Sequence, residues 1–122
     1  MQPREPHPTL RVHLWFEEEV GMLFGLGRVQ LLQAVARLGS LNKAAAELGM
    51  SYRAAWGRIK RTEEALGRAV VQKIRGRKGY ILTPLGEDLV RNFAAWHGEV
   101  ERFALERARA LLPWDITGFS AV

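Results

Sequence analysis

Between Tyr52 and Gly79 the chain carries Arg53, Arg58, Lys60, Arg61, Arg68, Lys73, Arg75, Arg77 and Lys78 against only Glu63 and Glu64. That stretch is +7. The remainder, with nine basic and eleven acidic residues, is −2, and the whole 122-residue chain is +5. A mixed solvated surface does not segregate charge in this way, whereas a confined basic stretch is the footprint of phosphate binding. Other chemistries lack their parts. There is no cysteine, which excludes disulfides, thiolate metal sites, iron–sulfur sites and cysteine nucleophiles. His7, His13 and His97 are scattered, and none has a second ligand at metal-binding spacing. Gly25-x-Gly27 lacks a third glycine and follows a hairpin pattern rather than a βαβ unit, so no dinucleotide site is expected. No catalytic residue, metal or cofactor is expected, and the chain is not read as an enzyme.

The elements that position the basic stretch can be read from its punctuation. Arg28–Leu38 has the period of a helix, with Val29, Leu32, Val35, Ala36 and Leu38 largely on one side, and Gly39 stops it. Ser40 caps a short helix over Leu41–Leu48, in which Ala44, Ala45 and Ala46 permit close approach of a neighbour. Gly49 ends that helix, and Ser51 caps another that runs to Leu66 and is closed by Gly67. Two helices joined by a short glycine-containing turn form a helix-turn-helix. Val70–Ile74 and Tyr80–Leu82 suit two strands around the turn Arg75-Gly76-Arg77-Lys78-Gly79. A basic hairpin directly after a helix-turn-helix reads as a wing.

On a wheel of ~100° per residue, Ala55, Ile59, Thr62 and Leu66 fall on one side of the second helix and should face the core. Arg53, Gly57, Lys60, Arg61 and Glu64 fall on the other, with Tyr52 and Trp56 on the border. The N-terminal half of the exposed face is basic, aromatic and free of acids. In a helix-turn-helix that half enters the major groove, where Arg reaches G O6 and N7 and a tyrosine ring meets a thymine methyl or a phosphate. Trp56 either joins this contact or packs against the wing or the first helix. Arg75, Arg77 and Lys78, set among glycines, can follow a groove and reach phosphates. Ser40, Asn42, Lys43 and Ser51 lie at helix N-termini, which favour phosphate, although capping alone accounts for the two serines. The candidate DNA-binding residues are thus Ser40, Asn42, Lys43, Ser51, Tyr52, Arg53, Trp56, Lys60, Arg75, Arg77 and Lys78.

Outside this region, Leu10–Phe16 alternates as a strand, Glu17–Glu19 forms a charged turn, and Val20–Phe24 pairs back as a hairpin. Thr83 caps and Pro84 opens a helix running to Leu112, about 43 Å at ~1.5 Å per residue. Leu89, Phe93, Trp96, Val100 and Phe103 recur along it at spacings of four and three, a heptad-like stripe that calls for a second copy of the chain. The expected organisation is a flexible arm over residues 1–9, a winged helix-turn-helix with an N-terminal hairpin over 10–83, a dimerisation helix over 84–112 and a tail over 113–122. The fold class is mainly α with a small β component. No apolar run approaches the ~20 residues of a membrane span, and the N-terminus lacks a secretory signal, so the expected location is the cytoplasm.

Phe24-Gly25-Leu26-Gly27-Arg28-Val29-Gln30-Leu31-Leu32, Gly39-Ser40-Leu41, Gly49-Met50-Ser51-Tyr52-Arg53-Ala54-Ala55-Trp56 and Leu82-Thr83-Pro84-Leu85-Gly86 together resemble the N-terminal DNA-binding domain of ModE-type molybdate-responsive regulators. The resemblance covers Leu10–Leu112. The wider pattern, with Gly-Ser, the Ala-Ala pair and Ile59, Glu63 and Leu66, resembles the LysR-type winged helix. The resemblance implies a sequence-specific transcriptional regulator acting on double-stranded DNA. Two departures stand out: the wing is shortened to Arg-Gly-Arg-Lys-Gly where the family has consecutive glycines, and the sequence ends at Val122 before any molybdate-binding domain. The expectation is a ModE-like regulator without the sensing domain, a homodimer, with a separate sensor protein left open as a partner. The alternative is a winged helix used as a protein–protein interaction module, since one fold serves both purposes.

Overall fold

Local capping groups partition the middle of the chain. Ser40 Oγ accepts the backbone N–H of Lys43, and Ser51 Oγ that of Ala54. Thr83 Oγ1 accepts the N–H of Gly86 and donates to the carbonyl of Ala69, so one hydroxyl both caps a helix and ties it to the segment between the third helix and the wing. The structure, a computed structural model, describes residues 5–122. Its elements are β1 (Trp15–Glu18), β2 (Gly21–Gly25), α1 (Leu26–Leu38), α2 (Leu41–Glu47), α3 (Tyr52–Leu66), β3 (Val71–Lys73), β4 (Tyr80–Leu82) and α4 (Pro84–Leu111). The two hairpins, β1–β2 and β3–β4, are separate antiparallel sheets.

The core lies between α1, α2, α3, the wing and the first half of α4. Val29, Leu32 and Val35 of α1 are buried with Leu41, Ala44 and Ala45 of α2, Ala55 and Ile59 of α3, Val70, Val71 and Leu82 of the wing, and Phe93 of α4. Thr62 is also buried, its hydroxyl donating to the Arg58 carbonyl one turn back. Gly86 lets α4 begin directly against the wing, because a Cβ there would collide with the Val70 carbonyl oxygen. Arg37 of α1 pairs with Glu47 of α2 on the surface, and that hydrogen bond raises the arginine pKa above its ordinary value.

Three parts of the chain depart from expectation. The first strand is shorter than Leu10–Phe16: only Trp15–Glu18 pairs, with a bulge between Phe16 and Glu17. The ladder stops because β2 runs straight into α1, whose first residue, Leu26, donates its N–H to the Leu14 carbonyl at 3.0 Å. For the same reason α1 starts at Leu26 rather than Arg28.

The expected arm lies partly outside the described residues, at 1–4. Its end is tied down: Leu10 N–H donates to Thr117 O at 2.8 Å, and Thr117 N–H to Pro8 O at 2.9 Å. The tail supplies the other half of this clasp. Ile116 is buried, Arg109 Nε donates to its carbonyl, and Ala121 N–H donates to Glu101 Oε2 at 2.9 Å.

The stripe on α4 also divides. Phe93 belongs to the chain's own core, edge-on to Phe24 at 5.7 Å between ring centroids, so it is withdrawn from the expected dimer interface. Leu89 packs against the same core. Trp96 is partly exposed and stacks on Phe16 of β1, while Phe103 is 65% exposed. His97 is fully buried beneath Phe93, with Nδ1 3.2 Å from Glu101 Oε1.

Candidate nucleic-acid interface

The N-terminus of α3 and the wing converge on one groove. Ser40, Leu41 and Asn42 at the start of α2, Tyr52 at the start of α3, and Lys73, Arg77, Lys78, Gly79 and Tyr80 of the wing line a cavity of about 490 Å³. Of the residues expected from the sequence, Ser40, Asn42, Tyr52, Arg77 and Lys78 are therefore brought together. Lys73 and Tyr80, which pair across the wing strands, complete the rim. Lys73 was legible only as part of the basic run, because it lies inside a strand rather than in the basic turn.

The wing is held to the helix-turn-helix from two sides. Tyr80 N–H donates to the Gly39 carbonyl at 3.2 Å. Gly79, at φ +122°, allows this approach, since a Cβ on it would stand 2.5 Å from that same oxygen. Glu63 fixes the base of the wing from the other side: its Oε2 accepts the N–H groups of Val70 at 2.8 Å and Val71 at 3.4 Å. One of the two acids in the basic stretch thus serves the fold and does not face a ligand.

Tyr52, Arg53 and Ala54 are exposed, whereas Ala55, Ile59 and Thr62 are buried, so the wheel assigned the two faces of α3 correctly. Tyr52 is 46% exposed at the groove edge. Arg53 and Arg75 are exposed but do not line the cavity; Arg53 stands on the outer face of α3 and Arg75 at the wing turn. Ser51 acts as a cap, and Lys43 is exposed in the first turn of α2.

Two candidates are engaged within the protein. Trp56 packs on Tyr80, with ring centroids 5.6 Å apart, so of its two readings the structure has the one against the wing. Lys60 Nζ lies 4.5 Å over the Trp56 ring and 3.5 Å from Glu63 Oε1. Among the described residues no group of three or more His, Asp or Glu side chains is placed to hold a metal ion. No helix of the described chain is long and apolar enough to cross a membrane.

Residues 26–87, which hold α1 to the start of α4, match the bacterial regulatory helix-turn-helix proteins of the lysR family. The chain belongs to this family. Among curated relatives, the molybdenum-pterin-binding protein MopB of Rhodobacter capsulatus is 36% identical over 104 residues, covering 81% of this chain and 38% of MopB. The molybdenum transport protein ModE of Azotobacter vinelandii is 31% identical over 105 residues, covering 84% of this chain and 38% of that relative. The chain thus spans well under half the length of either relative. Among solved structures, the BenM DNA-binding domain in complex with its benA site 1 DNA superposes with a TM-score of 0.61 at 22% identity, over 74% of this chain and 99% of that one. The CbnR DNA-binding domain in its DNA complex gives a TM-score of 0.58 at 22% identity, over 71% and 97%. These superpositions establish a winged-helix fold of the LysR type.

Proposed function

We propose that the chain is a sequence-specific, double-stranded DNA-binding transcriptional regulator of ModE-like type that acts as a cytoplasmic homodimer. The observation that carries this reading is the groove itself, where the exposed start of α3 stands beside Lys73, Arg77 and Lys78 of the wing and no carboxylate lines the cavity. In a helix-turn-helix the N-terminal residues of the second helix read base edges. Tyr52 and Arg53 hold those positions and reach a base or a thymine methyl; Arg75, Arg77, Lys78 and Lys73 take phosphates. The named relatives and the two DNA complexes support the same reading.

The dimer follows from what the single chain leaves uncovered. Phe103, Leu111, Leu112 and Trp114 are exposed along the second half of α4 and just beyond it, and Trp15, Phe16 and Met22 are exposed on the first hairpin. A concentration of exposed large apolar side chains marks a candidate interaction site. A partner α4 laid along Trp96, Val100 and Phe103 would cover it.

Affinity for duplex DNA measured from ~50 to ~200 mM salt tests the reading, because a protein making several phosphate contacts loses orders of magnitude over that range. Selection from a random duplex pool then tests sequence preference. Absence of duplex binding at either salt concentration would instead favour a protein-interaction module.

A further inference from the structure

Arg28, Arg58 and Arg61 form a second basic cluster that the groove does not use. Arg28, in the first turn of α1, lies against Ile59 and Thr62 of α3, and its Nε is buried without a hydrogen-bond partner. Burial, and then the charges of Arg61 and Arg58, hold its pKa below the ordinary arginine value. Arg61 leans back along α3, with Nη1 3.3 Å from where a side chain on Gly57 would begin. Long helical side chains point toward the N-terminus, and glycine at 57 leaves this one room to do so. Among the described residues none of the three arginines takes part in an ion pair. Three like charges gathered without an ion-pair partner repel one another and are relieved by an anion.

Their place on α3 says which anion. At ~100° per residue, Arg58 and Arg61 fall about 200° and about 140° around the helix from Trp56. Trp56 faces the wing through Tyr80. The cluster therefore occupies the flank of α3 opposite the wing. A helix ~10–12 Å across fills a major groove ~12 Å wide, so a sugar–phosphate backbone runs along each flank. The wing and Lys73 stand on one side and the arginines on the other. The planar guanidinium fork matches phosphate oxygens.

We infer that Arg28, Arg58 and Arg61 form a seat for a backbone phosphate of the DNA strand opposite the one gripped by the wing. The inference rests on the DNA-binding reading above and adds to it a two-sided hold on the groove.

The test uses the full chain and its Arg58→Ala, Arg61→Ala and Arg77→Ala variants. Affinity is measured for a short duplex selected from a random pool, across a salt series, with single neutral methylphosphonates placed along either strand. Each cluster variant is expected to lose about five- to tenfold in affinity at ~100 mM salt and to lower the salt slope by about one. Each should also become insensitive to neutralisation at one phosphate, on the strand that Arg77→Ala does not map to. Thermal unfolding of the cluster variants should match or exceed the parent, since a repulsion is removed.

If Arg77→Ala weakens binding while the cluster variants keep the parental slope, the inference fails and the DNA reading stands. If the parent binds no duplex at all, the DNA reading itself fails, and the inference with it. A lowered melting temperature with an unchanged slope makes the cluster structural and overturns the inference. Calorimetry without DNA separates a free oxyanion from a phosphodiester: inorganic phosphate should show no stoichiometric site, and a tight one lost in Arg61→Ala would overturn the inference.

Discussion

Replacing Gly79 by alanine should separate the wing from the helix-turn-helix. The residue sits at φ +122°, where a Cβ would be 2.5 Å from the Gly39 carbonyl oxygen that Tyr80 N–H uses at 3.2 Å. Forcing a non-glycine residue into such a conformation costs about 1–3 kcal/mol. Displacing the carbonyl also weakens that hydrogen bond, for about 1 kcal/mol more. The sum, about 2–4 kcal/mol, is smaller than the ~5–15 kcal/mol stability of a small domain, so the variant should fold but unfold early. In urea, with a slope of about 2 kcal/mol per molar, the midpoint should drop by about 1–2 M. Gly76→Ala is the control: its φ is +80° but nothing lies within 4 Å of its Cβ, so only the conformational cost of ~1–2 kcal/mol applies. Gly79→Ala should also weaken duplex binding beyond Gly76→Ala, because Lys73, Arg77 and Lys78 lose their fixed position beside Tyr52. Equal midpoints for the two variants would refute the argument, since they would show that the wing relaxes away from Gly39 at no cost.

Arg53→Ala should cost about 1–3 kcal/mol on the preferred duplex and almost nothing on random duplex, in paired titrations. Arg77→Ala and Lys78→Ala should instead weaken both duplexes alike and reduce the salt slope by about one per charge. Phe103→Glu should leave the melting curve of the isolated fold nearly unchanged, since the ring is 65% exposed. In sedimentation it should shift the chain from dimer to monomer, and a persistent dimer would move the interface to the hairpin. Ile116→Ala should cost about 2–5 kcal/mol in chemical unfolding, as for other buried aliphatic truncations; a near-neutral result would show that the tail clasp contributes little.

What was legible in the sequence was whatever is decided within a few residues. Ser40, Ser51 and Thr83-Pro84 announce helix starts because a cap is satisfied by a backbone N–H two or three positions on. The faces of α3 followed from period alone. Contacts set by distant parts of the chain were not legible. The tail shows no pattern because backbone groups of Pro8 and Leu10 hold it at Thr117, and Arg109 and Glu101 hold it on α4. The stripe on α4 correctly marked an apolar face, but a heptad spacing does not say whose surface covers it. Phe24 of the same chain claims Phe93 and Phe16 covers part of Trp96, which leaves Phe103 exposed.

The site shows the same division at closer range. Composition placed Lys60 among free basic residues, yet Trp56 and Glu63 both engage its ammonium. Neither contact is strong, because the Lys60 side chain is half exposed: solvent holds such an ion pair to about 1 kcal/mol and such a cation–π contact to ~0.5–1 kcal/mol. Lys60 therefore remains available to a phosphate, but only after giving up contacts of about the same worth. Glu63 is less available to oppose DNA than its charge suggests, because Oε2 is committed to Val70 and Val71. The pair Lys60–Glu63 is then close to electrically neutral toward a ligand. On the proposed DNA-binding reading, sequence discrimination by α3 falls to Tyr52 and Arg53, which are exposed ahead of it. Lys60→Ala should consequently lose less affinity than Arg77→Ala at every salt concentration. A larger loss would show that the ammonium leaves Trp56 on binding and that α3 enters the groove one turn deeper.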